Sequence, residues 1–206
     1  MKKIATLTLG CLLAVSATMA QTFPSDGFET YTAGLNLGPQ SPIWRTWSGA
    51  GGGADDALVV TTDNHTMGGA NSIYFSSTAS TGGPQDVILP FSTGAPLSTG
   101  QFDFKTWFKV PTSKTAYFNF QGTSTMGGMY TLDCFMTNTG AVQIQNSGTI
   151  VATGTHPFGV WFELEIKANF NSNSWELLID GISQGTWSNA NNQVWGIDYY
   201  PADAAA

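Results

Sequence analysis

The chain has 206 residues, of which 24 are glycine, 13% are aromatic and only 10% are charged. This composition is typical of a turn-rich all-β domain and argues against long helices, coiled coils and disorder. The formal net charge is −7 and no basic cluster is present, which disfavours nucleic acids and anionic membranes as partners.

The N-terminal segment has the pattern of a secretory signal peptide. Lys2 and Lys3 precede an apolar run, and small residues follow it up to Ala20. The run is too short to span a membrane, and Cys11 lies inside it rather than in a lipid-attachment motif. Cleavage after Ala20 predicts an exported protein of residues 21–206. Its net charge falls from −7 to −9 because two lysines are lost.

Cleavage leaves Cys134 as the sole cysteine, so no intramolecular disulfide can form. In the segment MYTLDCFM the cysteine alternates onto the same side as Tyr130, Leu132 and Met136. A buried structural thiol is therefore expected rather than a nucleophile. Without disulfides, stability must come from a large hydrophobic core, for which about 185 residues suffice.

Short alternating segments predict strands along the whole mature chain, because turns rich in glycine, proline and serine separate them. Their regular spacing is typical of a single-domain sandwich or jelly roll. The predicted strands before residue 160 are GFETY, IWRTWS, ALVVT, NSIYFSS, DVILPF, QFDFKTWFKV, TAYFNFQ, MYTLDCFM, AVQIQN and TIVAT.

The clearest pattern covers residues 161–187, where three strands are predicted in an antiparallel meander. WFELEIKA alternates apolar and polar residues, as a half-buried strand does. Asp180 and Gly181 form a two-residue loop that accepts positive φ at both positions, which predicts a tight hairpin. The predicted hairpin register opposes Ile179 to Ile182, Leu177 to Gln184 and Trp175 to Thr186, and it turns Trp187 outward.

Several segments together resemble a known family. They are DGFETYTAG, IWRTWS, ADDALVVTTDNHTMGGANSIYF, QFDFKTWFKV, WFELEIKANF, SWELLIDGISQG and VWGIDYYPAD. The chain resembles a concanavalin A-like (laminin-G-like) jelly-roll domain of secreted Bacteroidota proteins. The resemblance implies an all-β, two-sheet antiparallel β-sandwich that serves as an adhesive or carbohydrate-binding module beside other domains. It also implies a further strand returning beside the first, so we expect the last strand to be lacking after VWGIDYYPAD.

No common catalytic motif is present: there is no HExxH, GxSxG or Walker loop. His65 and His156 lie in separate turn-rich segments and are expected to be solvated. Glu163 and Glu165 share one strand face and resemble part of the E-x-D-x-x-E strand of glucanases of this fold. Because Ala168 replaces the third acid, a glucanase-like glycoside hydrolase is an alternative that we do not favour.

The resemblance also implies a structural calcium ion. Its predicted ligands are Asp26 and Glu29 near the first strand and Asp198 in the last, which would meet if those strands are neighbours. Calcium prefers six to eight oxygen ligands from carboxylates and carbonyls. The further candidate ligands are Asp86, Asp55 and Asp56.

A sugar-binding face is predicted from the polar sides of three strands. Aromatic rings stack on sugars while amides and carboxylates bond hydroxyl groups. We therefore expect a secreted, non-catalytic module that binds a glycan or an extracellular surface on behalf of a larger protein. A structural or adhesin spacer without a small ligand is the other alternative. The predicted binding residues are Asp103, Lys105, Trp107, Tyr117, Asn119, Gln121 and Asp133.

Overall fold

The computed structural model describes residues 24–49 and 51–206, so the predicted signal peptide and Cys11 lie outside the described residues. No helix within these ranges is long and apolar enough to cross a membrane. One short 3₁₀-helix, Gly38–Gln40, accompanies the strands. The strands are β1 (Arg45–Thr46), β2 (Leu58–Val60), β3 (Ser72–Tyr74), β4 (Val87–Pro90), β5 (Gln101–Lys109), β6 (Ala116–Gln121), β7 (Tyr130–Met136), β8 (Ala141–Asn146), β9 (Thr149–Thr155), β10 (Trp161–Asn169), β11 (Ser174–Ile179), β12 (Ile182–Trp187) and β13 (Gly196–Tyr199).

The strands form two main sheets and one ribbon. The larger sheet has seven strands in the order β1-β4-β13-β6-β7-β8-β9, and the smaller has four in the order β12-β11-β10-β5. β2 and β3 form a separate two-stranded ribbon. All strand pairs are antiparallel. The predicted all-β, two-sheet antiparallel sandwich is therefore confirmed.

The core lies between the two sheets because each strand turns alternate side chains inward. The ring of Phe104 on β5 lies 5.9 Å from that of Phe118 and 5.2 Å from that of Phe120 on β6. Cys134 is fully buried beside them, as predicted. His156 is not solvated: it is 5% exposed, and its Nε2 lies 3.1 Å from the carbonyl oxygen of Thr137.

The meander of residues 161–187 is confirmed as β10, β11 and β12, and the Asp180–Gly181 turn has the expected positive φ angles of 49° and 74°. The predicted register holds next to the turn but not beyond it. A β-bulge between Leu177 and Leu178 shifts the pairing, so that Trp175 lies opposite Trp187. A bulge adds one residue and exchanges the faces of the strand beyond it. Trp187 is therefore buried, at 8% exposure, and the outward prediction was wrong.

The predicted first strand, GFETY, is not formed. The Asp26 Oδ1 accepts a hydrogen bond of 2.8 Å from the Phe28 N–H, and Phe28 has a φ of 63°. A side chain that bonds the backbone two residues ahead stabilises a turn at the expense of an extended strand. Phe28 still packs against the core, 5.8 Å from the Trp44 ring. β13 lies inside the larger sheet between β4 and β6, and β1 borders β4 rather than β13.

Candidate functional site

The predicted binding residues lie in two different sheets. Asp103, Lys105 and Trp107 belong to β5 of the four-stranded sheet, whereas the other four predicted residues belong to β6 and β7 of the seven-stranded sheet. Because the inner faces of the two sheets meet in the core, their outer faces lie on opposite sides of the sandwich. The prediction of one common face was wrong. Alternation within a strand shows which side chains point outward, but not which sheet the strand joins.

On the outer face of the four-stranded sheet, charged side chains pair with one another. Lys105 Nζ lies 3.7 Å from Glu163 Oε1 and 3.3 Å from Glu165 Oε1, and Lys167 Nζ lies 3.1 Å from the same Glu165 oxygen. Burial alone would raise the pKa of Glu165, but hydrogen bonds with Lys167, Asp103 and Lys105 lower it. Glu165 therefore stays ionised and is a poor proton donor for glycoside hydrolysis.

The same face holds Trp107, which is 39% exposed. The His65 ring stacks on it, with the centroids 3.5 Å apart and the planes 15° apart. An ion pair between Lys109 and Asp63 holds the loop that carries His65. His65 is therefore not free in solvent, and one face of the Trp107 ring is already covered.

On the outer face of the seven-stranded sheet, neighbouring strands contribute a connected series of polar side chains. The Gly127 N–H donates to Gln121 Oε1 at 2.9 Å, and Gln121 Nε2 donates to Asn119 Oδ1 at 2.6 Å. Asn119 Nδ2 then donates to Asp198 Oδ2 at 2.7 Å. Gln121, Asn119 and Asp198 are each at most 3% exposed. We call Gln121, Asn119, Asp198 and the adjacent Asp86 the polar row.

Two carboxyl groups lie against each other at the end of the polar row. The Oδ1 atoms of Asp86 and Asp198 are both buried, and neither accepts a hydrogen bond from a donor among the described residues. Burial and repulsion by Asp198 raise the pKa of Asp86 to about 9. Burial also raises the pKa of Asp198. At neutral pH Asp86 is therefore protonated, and its proton can be shared with Asp198.

Aromatic side chains stand at both ends of the segment of β6 that carries Asn119 and Gln121 of the polar row. At one end, Gly127 lies between the Trp47 ring and the Tyr130 hydroxyl group, so a Cβ at Gly127 would be 3.2 Å from Trp47 Cη2 and 3.7 Å from Tyr130 Oη. At the other end, the Tyr117 and Phe135 rings are 4.8 Å apart. The two ends are about 13 Å apart, since four residues of β6 separate them at about 3.3 Å each.

A third acidic side chain, Asp133, lies on this face. Tyr117 Oη donates a hydrogen bond of 2.5 Å to Asp133 Oδ1. Burial, and to a smaller extent this hydrogen bond, raises the pKa of the Tyr117 phenol. Burial also raises the pKa of Asp133. Tyr117 is therefore a neutral donor at physiological pH, and its ring and hydroxyl group are both held in place.

Two contributors to this face were missed from the sequence, Trp47 and Tyr130, and Asp86 was expected to join Asp198 only as a calcium ligand. A β-bulge between Phe120 and Gln121 places Tyr130 opposite Gln121 and therefore outward, although alternation in β7 predicts it on the Cys134 side. Asp86 and Asp198 meet because β4 and β13 are neighbours, which depends on sheet order. The only sequence signal for Trp47 is the turn-rich composition around it, which is consistent with a loop that covers the sheet.

The predicted calcium ligands do not meet. Asp26 Oδ2 accepts hydrogen bonds from Tyr31 Oη at 2.5 Å and Trp44 Nε1 at 2.9 Å, and the Glu29 carboxylate accepts from the Ala70 N–H at 2.7 Å. Asp198 lies in the polar row instead. Within residues 24–49 and 51–206, no three side chains of histidine, cysteine, aspartate or glutamate form a group suited to a metal ion. These residues therefore do not fit a calcium site.

No protein-family model matches the chain, and no curated protein matches it in sequence. Solved structures with similar folds include the carbohydrate binding module CBM66 from Bacillus subtilis, at 11% identity and a TM-score of 0.44, covering 84% of this chain and 92% of that one. An endo-beta-1,4-glucuronan lyase from the fungus Trichoderma reesei has 14% identity and a TM-score of 0.45, with 70% and 75% covered. A sialidase matches at 10% identity and a TM-score of 0.45 over 57% of this chain but only 10% of its own. Likeness at these scores assigns no function to this chain.

Proposed function

We propose that this protein binds a carbohydrate across the outer face of the seven-stranded sheet, as a non-catalytic module exported through its N-terminal signal peptide. The observation that carries the proposal is a set of exposed or partly exposed aromatic and carboxyl side chains on this face, namely those of Tyr130, Tyr117, Phe135 and Asp133. The buried, hydrogen-bonded polar row lies beside them and fixes the sheet in one arrangement.

The chemistry of this face suits a sugar chain. Tyr117 and Asp133 are partly exposed and bonded to each other beside the buried polar row, so they lose little conformational freedom when they bond a ligand hydroxyl group. Tyr130 is 42% exposed and offers a ring on which the apolar side of a sugar can stack. The separation of about 13 Å between the aromatic ends favours an extended chain over a single sugar.

Charge indicates the class of sugar. Asp133 and Asp198 place two acids on this face beside the protonated Asp86. The guanidinium group of Arg45 on β1 lies 5.4 Å from the centroid of the Trp195 ring. Like charges close together in a partly desolvated site repel, which disfavours uronates and sulfated glycans. We therefore expect a neutral polysaccharide as the ligand.

The hydrolase alternative receives less support. Glu163 and Glu165 both form ion pairs with Lys105. Asp103 is hydrogen-bonded to Glu165, and burial together with this bond raises the pKa of Asp103. Asp86 and Asp198 likewise touch. The acid and base of glycosidases stand about 5 to 9 Å apart, on either side of the bond that they cleave.

A panel of soluble neutral and acidic polysaccharides in affinity electrophoresis tests the proposal. We expect retardation by at least one neutral polymer and a weakening of about five- to thirtyfold in Tyr130→Ala, because a stacked ring is worth on the order of 1–2 kcal/mol. Trp107→Ala is the matched control, since it removes an aromatic ring of similar exposure from the opposite sheet.

Three outcomes would contradict the proposal. Loss of binding in Trp107→Ala but not in Tyr130→Ala would move the site to the other sheet. New reducing ends in the bound polymer would show an enzyme. A folded protein that binds none of the polymers would favour the spacer alternative.

A further inference from the structure

The outer face of the seven-stranded sheet has a closed half and an open half. Toward β4, the outward side chains Ile88, Asn119 and Asp198 are each at most 3% exposed, and we call this the closed half. Toward β9, the outward side chains are partly or fully exposed, and we call this the open half. A ligand can contact only the open half, whose outward residues include Asp133, Phe135, Gln143, Gln145 and Thr153.

Two glutamines of β8 lie beside the exposed groups of β7. The register of the two strands pairs Gln143 with Phe135 and Gln145 with Asp133. Directly paired residues of antiparallel strands have Cβ atoms about 4.5–5.5 Å apart. Ile144, between the two glutamines, is fully buried in the core, so alternation turns both glutamine side chains outward. The open half therefore carries a ring and a carboxyl group on β7 with one amide beside each.

The two amides of β8 are available to a ligand. In the closed half, Gln121 accepts a hydrogen bond from the Gly127 N–H and donates one to Asn119. The side-chain amides of Gln143 and Gln145 have no hydrogen-bond partner among the described residues. A side-chain amide has two N–H donors and a carbonyl acceptor. It can therefore donate to one hydroxyl group of a sugar and accept from the next.

This side of the open half carries no charge. Between Asp133 and Glu163 the chain contains no aspartate, glutamate, lysine or arginine, and β8 and β9 both lie in this stretch. Thr153 on β9 pairs with Gln143 and adds an exposed hydroxyl group. Neutral donors and acceptors distinguish ligands by the positions of their hydroxyl groups rather than by charge.

We infer that Gln143 and Gln145 bind hydroxyl groups of the polysaccharide and thereby determine its specificity, an inference that rests on the proposed function and deepens it. The sugar chain lies along β7 from Tyr130 to Phe135, with the two amides on its β8 side. Outward positions two residues apart on a strand are about 6.7 Å apart, so the amides contact the chain at two separate points. The ligand is a neutral polysaccharide with unsubstituted hydroxyl groups on that side.

Affinity electrophoresis with laminarin, xyloglucan and galactomannan identifies the polymer that the parent protein binds best. Gln143→Ala and Gln145→Ala should each bind this polymer about two- to tenfold more weakly, as expected for the loss of one hydrogen bond. Gln101→Ala is the matched control, because it removes an exposed glutamine from β5 of the other sheet. Its binding should equal that of the parent.

Competition by the same polymer after partial O-methylation provides the second readout. For the parent, the methylated polymer should compete at least about tenfold less well than the unmodified one, because methylated hydroxyl groups leave the amides unpaired. In the variant that combines Gln143→Ala and Gln145→Ala, this ratio should fall below about threefold, since ring stacking tolerates methyl groups. A general loss of folding would weaken both polymers alike and would leave the ratio unchanged.

The possible failures are distinguishable. If Tyr130→Ala weakens binding but both glutamine variants bind within about 1.5-fold of the parent, the inference is overturned and the proposed function stands. An unchanged methylation ratio in the double variant overturns the inference as well. A folded parent protein that binds none of the polymers overturns the proposed function itself, and the inference with it.

Discussion

The Asp86–Asp198 contact provides the sharpest test of the site, through the substitution Asp86→Asn. Asparagine has the same shape and can donate a hydrogen bond to Asp198, but it cannot ionise. The pKa of Asp86 is raised from 3.8 to about 9 in the folded protein, by burial and by the neighbouring carboxylate. Above its ordinary pKa the Asp86 carboxyl group loses its proton in the unfolded chain but keeps it in the folded protein. The free energy of unfolding is therefore highest below the unfolded pKa and falls as the pH rises toward the folded pKa.

The magnitude follows from linkage. Each pH unit changes the free energy of a bound proton by about 1.4 kcal/mol. The free-energy cost of keeping Asp86 protonated in the folded protein therefore grows by up to about 4 kcal/mol between about pH 5 and pH 8. Asp86→Asn removes this free-energy cost, because asparagine does not ionise. Its stability relative to the parent protein should therefore increase with pH, by at least about 1.5 kcal/mol over that range, which allows for partial relaxation around the carboxyl groups.

Urea unfolding followed by tryptophan fluorescence at several pH values measures this difference. Glu176→Gln, on the outer face of the other sheet, is the control for removing one negative charge. A stability difference between Asp86→Asn and the parent that stays constant within about 0.5 kcal/mol from pH 5 to pH 8 would refute the proposed carboxyl pair.

Two further predictions concern the same face and the calcium hypothesis. Gly127→Ala should lower the free energy of urea unfolding by about 1–2 kcal/mol, because Gly127 has a φ of 71°. It should also weaken polysaccharide binding, because the new Cβ would be 3.2 Å from Trp47. Unchanged binding would show that Trp47 does not border the ligand. Treatment with a chelator in calcium-free buffer should leave Tm unchanged, because Asp26 and Glu29 already accept protein hydrogen bonds. A fall in Tm of more than about 3 °C that calcium restores would show that a cation is bound elsewhere.

Local sequence was sufficient for much of the scaffold. Period-two alternation placed most strands, and the Asp180–Gly181 pair predicted a tight turn because both positions require positive φ. The first strand was misassigned because the Asp26 side chain stabilises a turn at Phe28, and such local competition is invisible to a count of alternating residues.

By itself, the sequence determined that this protein is an antiparallel β-sandwich and which side chains of most strands face inward, because alternation is a property of each strand alone. Tertiary structure decided which residues share a surface. It separated Trp107 from Asn119 by assigning β5 and β6 to different sheets, and it brought Asp86 to Asp198 by making β4 and β13 neighbours. Bulges then moved Tyr130 outward and Trp187 inward, since one extra residue reverses the faces of a strand. The candidate site therefore depends on pairings between distant segments, which no local pattern encodes.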